Sequence, residues 1–536
     1  MSFLLGVLSG STSVISVLLL SWGLGRHMNS GPHDQSQTVV QGFLVLHVVL
    51  MAAHFIVPLS SWGVRVVVGL LAVMGLVRGG HIVLRPRRIW LMIAGLSLVI
   101  VALATVTVSN YDAGFYYHST ITHLRGDNVV IGLANLHHRL GNWSGSLSLA
   151  AFLESGPWGG DGYRLANPLL ILVVLIAAAP RVLRVLEGRQ STGDVVAVVA
   201  VPLCLAEFLG SPGFFVAAPT PDTGFSLIAV LAIAALVDVI VDRSDLAVAE
   251  LLTWSSLALI YRPTGLVLVL LAAVVLVYVL TRLQLARVAR VASLAALGAL
   301  AHFGMTVALT GFPVFPVSAL PEIVSWSVPH DMRAYQVRIV QTIARAAGQQ
   351  AVETDGWSWV GPWITRNRRF TSEVAVLLSA GLAMLCFGRH SRRLGSALLA
   401  IGVVALPVGF WFWSAPDPRF GHGLVYAWAV LPLALAVSSL VEGSRLRPVA
   451  LLAAGVVLSI ALTASITSFL SRDLSNDLGG DAHVGTPKQI VLEAEGLVVT
   501  RPRADPGCGA ALWCTPEDVS GLRVGNWGPF TVLSRD

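Results

Sequence analysis

The sequence predicts an all-α polytopic membrane protein with about fourteen transmembrane helices, outer interfacial amphipathic helices and a small outer C-terminal tail. Apolar runs of roughly 17–22 residues recur along the chain, the length needed to cross a hydrocarbon core. Of the 536 residues 55% are hydrophobic and only 12% are charged, whereas soluble domains carry about 25% charged residues. The arginines sit between apolar runs and concentrate in alternate short loops.

The predicted spans are 2–22, 39–59, 61–77, 89–109, 168–186, 194–209, 222–241, 246–260, 264–281, 291–309, 372–388, 394–414, 420–441 and 448–469. The apolar runs are uninterrupted rather than periodic, which excludes a solenoid of short soluble repeats. The start, Met1-Ser2-Phe3-Leu4-Leu5, lacks the basic n-region of a signal peptide and reads as a first span that stays. Residues 1–470 then form the transmembrane domain and 471–536 an extracytoplasmic tail.

The net charge of +6 is almost all arginine, Lys488 being the only lysine. Orientation in a membrane explains these charges better than nucleic-acid binding does. The arginine-bearing loops hold Arg78 to Arg88, Arg181 to Arg189, Arg243, Arg282 to Arg290, Arg389 to Arg393, and Arg445 with Arg447. With the spans above, all of them fall on one side, which is then cytoplasmic. Both termini lie outside, together with two long segments, 110–167 and 310–371. This predicts a multi-pass protein of a bacterial inner membrane, with its site on the extracytoplasmic side, where outer loops on a rigid scaffold carry function.

Those outer regions hold the residues able to do chemistry. Asp112 follows a span, and written as a helix it shares one face with Tyr116, Ser119 and His123, an amphipathic pattern for the interface. Asp112 is either a functional acid or a complement to the helix dipole. Asn135, His137, His138, Arg139 and Trp143 are dense for so apolar a chain, and suit a sugar, a phosphate or a polar loop at the headgroups. His137 and His138 are adjacent and would diverge on a helix, a poor metal pair. Asp222 lies in Pro219-Thr220-Pro221-Asp222, where it reads as an acid for the site or as a helix N-cap. Arg262, between two spans, is an outer arginine against the positive-inside bias, which points to an anionic partner. In Ala415-Pro416-Asp417-Pro418-Arg419-Phe420, Asp417 suits an N-cap before Pro418, whereas Arg419 stands at a helix N-terminus, where a cation is disfavoured. Trp326, Trp357, Trp359 and Trp363 suit an interfacial belt or a platform for sugar rings or a lipid chain.

These motifs together resemble the GT-C superfamily of membrane glycosyltransferases, and more narrowly a bacterial group of GT-C-like membrane proteins. That group's pattern runs Y-D-x-G-x-Y, G-L-G-N-L-H-G-R-L, a P-S-P-D loop, an aromatic G-Y-x-x-x-P stretch, A-P-D-P-R-F and a tail with two cysteines. Here the first reads Tyr111-Asp112-Ala113-Gly114-Phe115-Tyr116. The second runs from Gly132 to Leu140, with Ala134 and His138 where glycines are expected, and the Asp417 to Phe420 motif matches fully. The resemblance implies a polytopic fold and a sugar donor carried on polyprenyl phosphate.

The chemistry of such a transfer stands beside the resemblance. Nucleotide sugars are absent outside the cytoplasm, so the donor arrives on a lipid carrier and the acceptor is a glycan, a lipid or a protein. An inverting transfer needs one carboxylate to take the acceptor proton, here Asp112, and cations at the leaving phosphate, here Arg419 and Arg262. Candidate substrate-binding residues are Tyr116, His123, Asn135, His137, Arg139, Asp222 and Asp417. Asp112 and Asp222 are also a pair for a divalent cation, ranked below metal independence because no third ligand stands out. Two rivals remain: a flippase or transporter of lipid-linked glycans, and an O-antigen-type polymerase or ligase. A transporter would use in-span groups, of which His47, His54, Glu207, Asp238, Glu250 and His302 are the candidates. In the tail, Cys508 and Cys514 face an oxidising compartment and are expected to form a structural disulfide.

Overall fold

The structure of the chain is a computed structural model that describes residues 2–28, 35–78, 87–156, 160–280, 285–347, 356–387, 394–441, 488–494, 497–502, 508 and 511–535. It is a mostly helical bundle. The helices in chain order are α1 (Ser2–Gly25), α2 (Gln35–His54), α3 (Trp62–Arg78), α4 (Arg87–Ala104), α5 (His118–Gly126), α6 (Gly145–Glu154), α7 (Ala166–Leu186), α8 (Thr192–Gly210) and α9 (Pro212–Phe215). They continue with α10 (Pro221–Ile240), α11 (Asp245–Tyr261), α12 (Leu266–Leu280), α13 (Leu285–Thr310), α14 (His330–Ala346), α15 (Val360–Arg366), α16 (Arg368–Phe387), α17 (Leu394–Ser414) and α18 (Pro418–Val441).

A helix lies at every predicted span that falls within the described residues; the last, 448–469, lies outside them. Nine of the described helices are long and apolar enough to cross a membrane, fewer than the fourteen expected. Of the other predicted spans, those at α4, α11 and α12 have shorter apolar stretches, Leu91–Ala104, Leu246–Tyr261 and Pro263–Tyr278. Prolines inside α7, α8, α17 and α18 are tolerated because neighbouring helices and local adjustments satisfy the freed carbonyls.

The centre of the bundle is α10, buried all round from Pro221 to Asp238, with α11, α8 and α18 packed on it. Glycine sets two of these contacts. A Cβ at Gly423 of α18 would overlap the carbonyl of Ser226 on α10, and one at Gly224 of α10 would overlap the ring of Tyr261 on α11. These close approaches bring the ends of three helices together one turn further out.

The first long segment, 110–167, is not a loop lying over the bundle. It contains α6, whose ten residues are all buried, against α5, α2 and α7. Its start also departs from the expected amphipathic helix. Residues Ala113–Tyr117 form a π-helical turn before α5, and the wider turn shifts the register of every side chain that follows. Asp112, before the turn, pairs with Arg419, whereas Ser119 and His123, beyond it, both reach the tail, at Ala511 and Trp513. The residues from His118 to Leu124 are mostly buried rather than lying at an interface.

The tail is not plain coil. Lys488–Ala494 (β1) pairs antiparallel with Leu497–Pro502 (β2), and Leu522–Trp527 (β3) pairs with Phe530–Arg535 (β4). Short runs of β-formers such as Leu497-Val498-Val499-Thr500 favour strands. The second hairpin docks on the first outer segment: Ile131 N–H donates to Thr531 O at 3.0 Å, and Leu533 N–H donates to Ile131 O at 2.8 Å. Cys508 and Cys514 are disulfide-bonded with a Cα separation of 5.6 Å.

Candidate functional site

One segment and three helix ends meet on one side of the bundle: the segment after α4, the start of α10, the end of α11 and the start of α18. Asp112 belongs to the first. Asn110 Oδ1 accepts the Asp112 N–H at 2.9 Å, and the Asp112 carboxylate makes no capping bond to the turn it precedes. A dipole complement alone does not describe it, because its Oδ2 lies 3.3 Å from Nη1 of Arg419.

Arg419 is placed by the start of α18. Asp417 precedes Pro418 and caps the helix, its Oδ1 accepting the Arg419 N–H at 3.1 Å. The other oxygen of Asp417 lies 3.2 Å from Arg419 Nε. One carboxylate thus caps the helix and aims the arginine. The unfavourable position of a cation at a helix N-terminus is offset by two acids, Asp417 and Asp112.

Arg262, the C-cap residue of α11, forms an ion pair with Asp222. Asp222 is not the N-cap of α10. Thr220 caps that helix through its hydroxyl and Pro221 fills the first position, which leaves the Asp222 carboxylate for Arg262. Between the two arginines stands Phe420, with the guanidinium of Arg262 4.1 Å from its ring centroid and that of Arg419 4.6 Å away. Three carboxylates and one aromatic ring hold two like charges together.

Access differs within this cluster. Asp222 is fully buried, whereas Asp112, Arg419, Asp417 and Arg262 keep 18–22% of their side-chain surface exposed. A ligand can reach the Asp112–Arg419 pair, and Asp222 acts on it through Arg262. Tyr117 reaches Thr220, hydroxyl to hydroxyl, at 3.4 Å. Burial, reinforced by the charge of Asp112, raises the pKa of both Tyr116 and Tyr117 and keeps their hydroxyls protonated.

Trp363 of the second long segment and Trp411 of α17 act as supports. Trp363 Nε1 donates to Pro416 O at 2.6 Å and Trp411 Nε1 to Asp417 O at 2.9 Å. Trp359 and Trp363 are buried against Phe412, while Trp357 stays exposed. They brace the loop that presents Asp417 and Arg419.

Other predicted site residues lie elsewhere. His123 bonds Asp127 at 3.4 Å and meets Trp513 of the tail edge-on. Asn135 donates to Trp326 O at 2.9 Å and Leu533 O at 3.2 Å, which makes it a clamp on the tail. His137 and His138 do not diverge. The backbone is extended at His137 before a 3-10 turn, so the rings stack 5.2 Å apart, and both face Glu517 of the tail. Arg139 acts electrostatically on Tyr116 and His137. Asp222 is turned into Arg262. Among the described residues no group of three or more His, Cys, Asp or Glu side chains is arranged to hold a metal ion. Phe420 closes the Ala415–Phe420 motif without a role assigned to it by the sequence, and Asn110 and Tyr117 flank the Tyr111–Tyr116 motif.

The in-span acids expected of a transporter are paired. At the opposite end of the bundle Arg181 contacts Asp194 at 3.0 Å, Asp238 at 2.9 Å and Glu250. Glu207 pairs with Arg369 at 3.0 Å.

The family described as a domain of unknown function, DUF8201, matches residues 7–426. The match takes in the whole charged cluster and stops short of the tail. No curated protein matches the chain.

Proposed function

The chain belongs to the DUF8201 family, whose description carries no activity, and we propose from the site itself that the protein is an inverting, GT-C-type glycosyltransferase using a polyprenyl-phosphate-linked sugar. The single observation behind this is the pairing of Asp112 with Arg419, 307 residues apart, at the partly exposed end of an apolar bundle. A general base beside a phosphate-binding cation is what glycosyl transfer from a lipid phosphate requires.

In the proposed reaction the acceptor hydroxyl oxygen attacks the anomeric carbon of the donor. The bond from that carbon to the phosphate oxygen breaks, and polyprenyl phosphate leaves with the electron pair. Asp112 takes the hydroxyl proton. Arg419, released from Asp112 by the incoming phosphate, takes up the charge that develops on it, and Arg262 adds a second cation across Phe420. The protonated hydroxyls of Tyr116 and Tyr117 are neutral donors beside the reacting groups. We place the site on the extracytoplasmic side of a bacterial inner membrane, because the Arg181–Arg189 region lies at the opposite end of the bundle.

The test is transfer from a radiolabelled polyprenyl-phosphate sugar to membrane glycan and lipid fractions, wild type against Asp112→Asn. Turnover should fall by about 100-fold or more with the fold retained. Near-normal turnover in folded Asp112→Asn protein would refute the assignment. Movement of a lipid-linked glycan across vesicles with no new glycosidic bond would replace transfer by transport. Cysteine introduced at exposed Tyr111 should label from outside the cell, and cysteine at Arg189 only from the cytoplasm.

A further inference from the structure

Beside the charged cluster, the first outer segment, α14 and the tail line an open cavity of about 450 Å³, within the roughly 300–1,000 Å³ of small-molecule sites. Phe115, Arg139, Tyr335, Glu517, Asp518 and Arg535 are among its lining. Phe115 joins it to the site, because the next residue, Tyr116, lies within electrostatic reach of Asp112, Arg139 and Arg262.

The lining combines rings and the aliphatic Met332 and Ile339 with polar groups. Tyr335 is half exposed and meets His138 edge-on at 5.6 Å. Arg139 has no acid partner among the described residues, and its Nε is buried without a hydrogen bond. Among the described residues Arg535 donates to two backbone carbonyls, Asn135 O at 2.8 Å and Asp518 O at 2.7 Å. The Asp518 carboxylate is largely exposed. Glu517 is engaged by His138 of the first outer segment. The roof comes from the tail. The Cys508–Cys514 disulfide and the bonds Thr500 N–H to Trp513 O (2.9 Å) and Thr515 N–H to Thr500 O (3.0 Å) hold the strand that leads into Pro516, Glu517 and Asp518.

We infer that this cavity is the acceptor subsite and that the acceptor is an oligosaccharide. Rings set among fixed donors and acceptors match the apolar faces and hydroxyls of sugars, and a purely hydrocarbon ligand would leave the buried Nε of Arg139 unanswered. Four of the ten lining residues, Pro516, Glu517, Asp518 and Arg535, come from the tail, beyond the family match, so the tail helps select the acceptor while the bundle carries the transfer. The inference rests on the transferase reading.

The test uses full-length protein in lipid nanodiscs and saturation-transfer NMR with neutral hexose di- to tetrasaccharides and their uronic-acid-containing counterparts. At least one series should bind. Tyr335→Ala and Arg139→Ala should each weaken it about tenfold, and Tyr335→Phe should restore it. No saccharide bound, or binding indifferent to both alanine variants, overturns the inference. If binding depends on Tyr335 and Arg139 but no transfer from a polyprenyl-phosphate sugar occurs, the binding site stands and the transferase reading fails. If transfer occurs with an unchanged acceptor KM in both variants, the transferase stands and the cavity loses its role.

Discussion

Nη1 of Arg419 lies 3.3 Å from Oδ2 of Asp112, and Oδ2 of Asp417 lies 3.2 Å from Nε of the same guanidinium. One planar fork thus bridges the first outer segment and the start of α18. Arg419→Ala should weaken donor binding and raise the donor KM. Arg419→Lys should rescue it only in part, because an ammonium cannot bridge two carboxylates and lie on the Phe420 ring as a guanidinium does. Full rescue by lysine would show that charge alone matters at this position.

Gly423 tests whether the site depends on helix approach. An alanine there meets the Ser226 carbonyl and must push α18 away from α10, an overpacking change that typically costs about 1–3 kcal/mol. Because Arg419 and Asp222 lie one turn beyond this crossing, Gly423→Ala should lower both thermal stability and turnover. Unchanged turnover alongside reduced stability would separate the crossing from the chemistry.

The network around Arg181 should behave in the opposite way. Arg181→Met leaves Asp194, Asp238 and Glu250 without their shared cation; breaking buried pairs costs about 3–5 kcal/mol. The unfolding temperature should drop markedly, while protein that stays folded keeps its kcat, since the network lies at the far end of the bundle. A selective loss of kcat with stability intact would give this network a functional role and favour transport.

Docking of the tail should weaken in acid. Burial lowers the His137 imidazole from its ordinary value to about 3, against the opposing pull of Glu517, with His138 and Arg139 lowering it further. Burial raises the Glu517 carboxyl, but its bond to His138 and the nearby His137 leave it below the usual range. Both pKa values are depressed in the docked state, so a released tail binds more protons. Docking is full above about pH 6.5 and declines toward pH 3, by up to ~1.4 kcal/mol per pH unit for one proton. Hydrogen exchange in β3 and β4, corrected for intrinsic rates, should lose protection between pH 7.5 and 5.5. Equal protection at both values would exclude this linkage.

Much of the scaffold was legible locally. Apolar length located the helices, because a segment that must bury every peptide group in hydrocarbon has to be helical and long. The Asp-Pro-Arg-Phe sequence announced a capped helix start carrying an out-of-place cation, and Asp112 stood out as an acid just past a span. What local sequence could not decide was partnership. That Asp112 meets Arg419, that Asp222 turns to Arg262 while Thr220 takes the cap, and that Asn135 and His137 serve the tail all depend on contacts between segments far apart in the chain. A π-helical turn at Ala113–Tyr117 was equally invisible, and it broke the expected polar face by changing the residues per turn. The sequence by itself determined which side chains stand at helix ends, because that follows from apolar length and capping chemistry. Only the tertiary structure decided which ends meet, because that follows from packing between segments hundreds of residues apart.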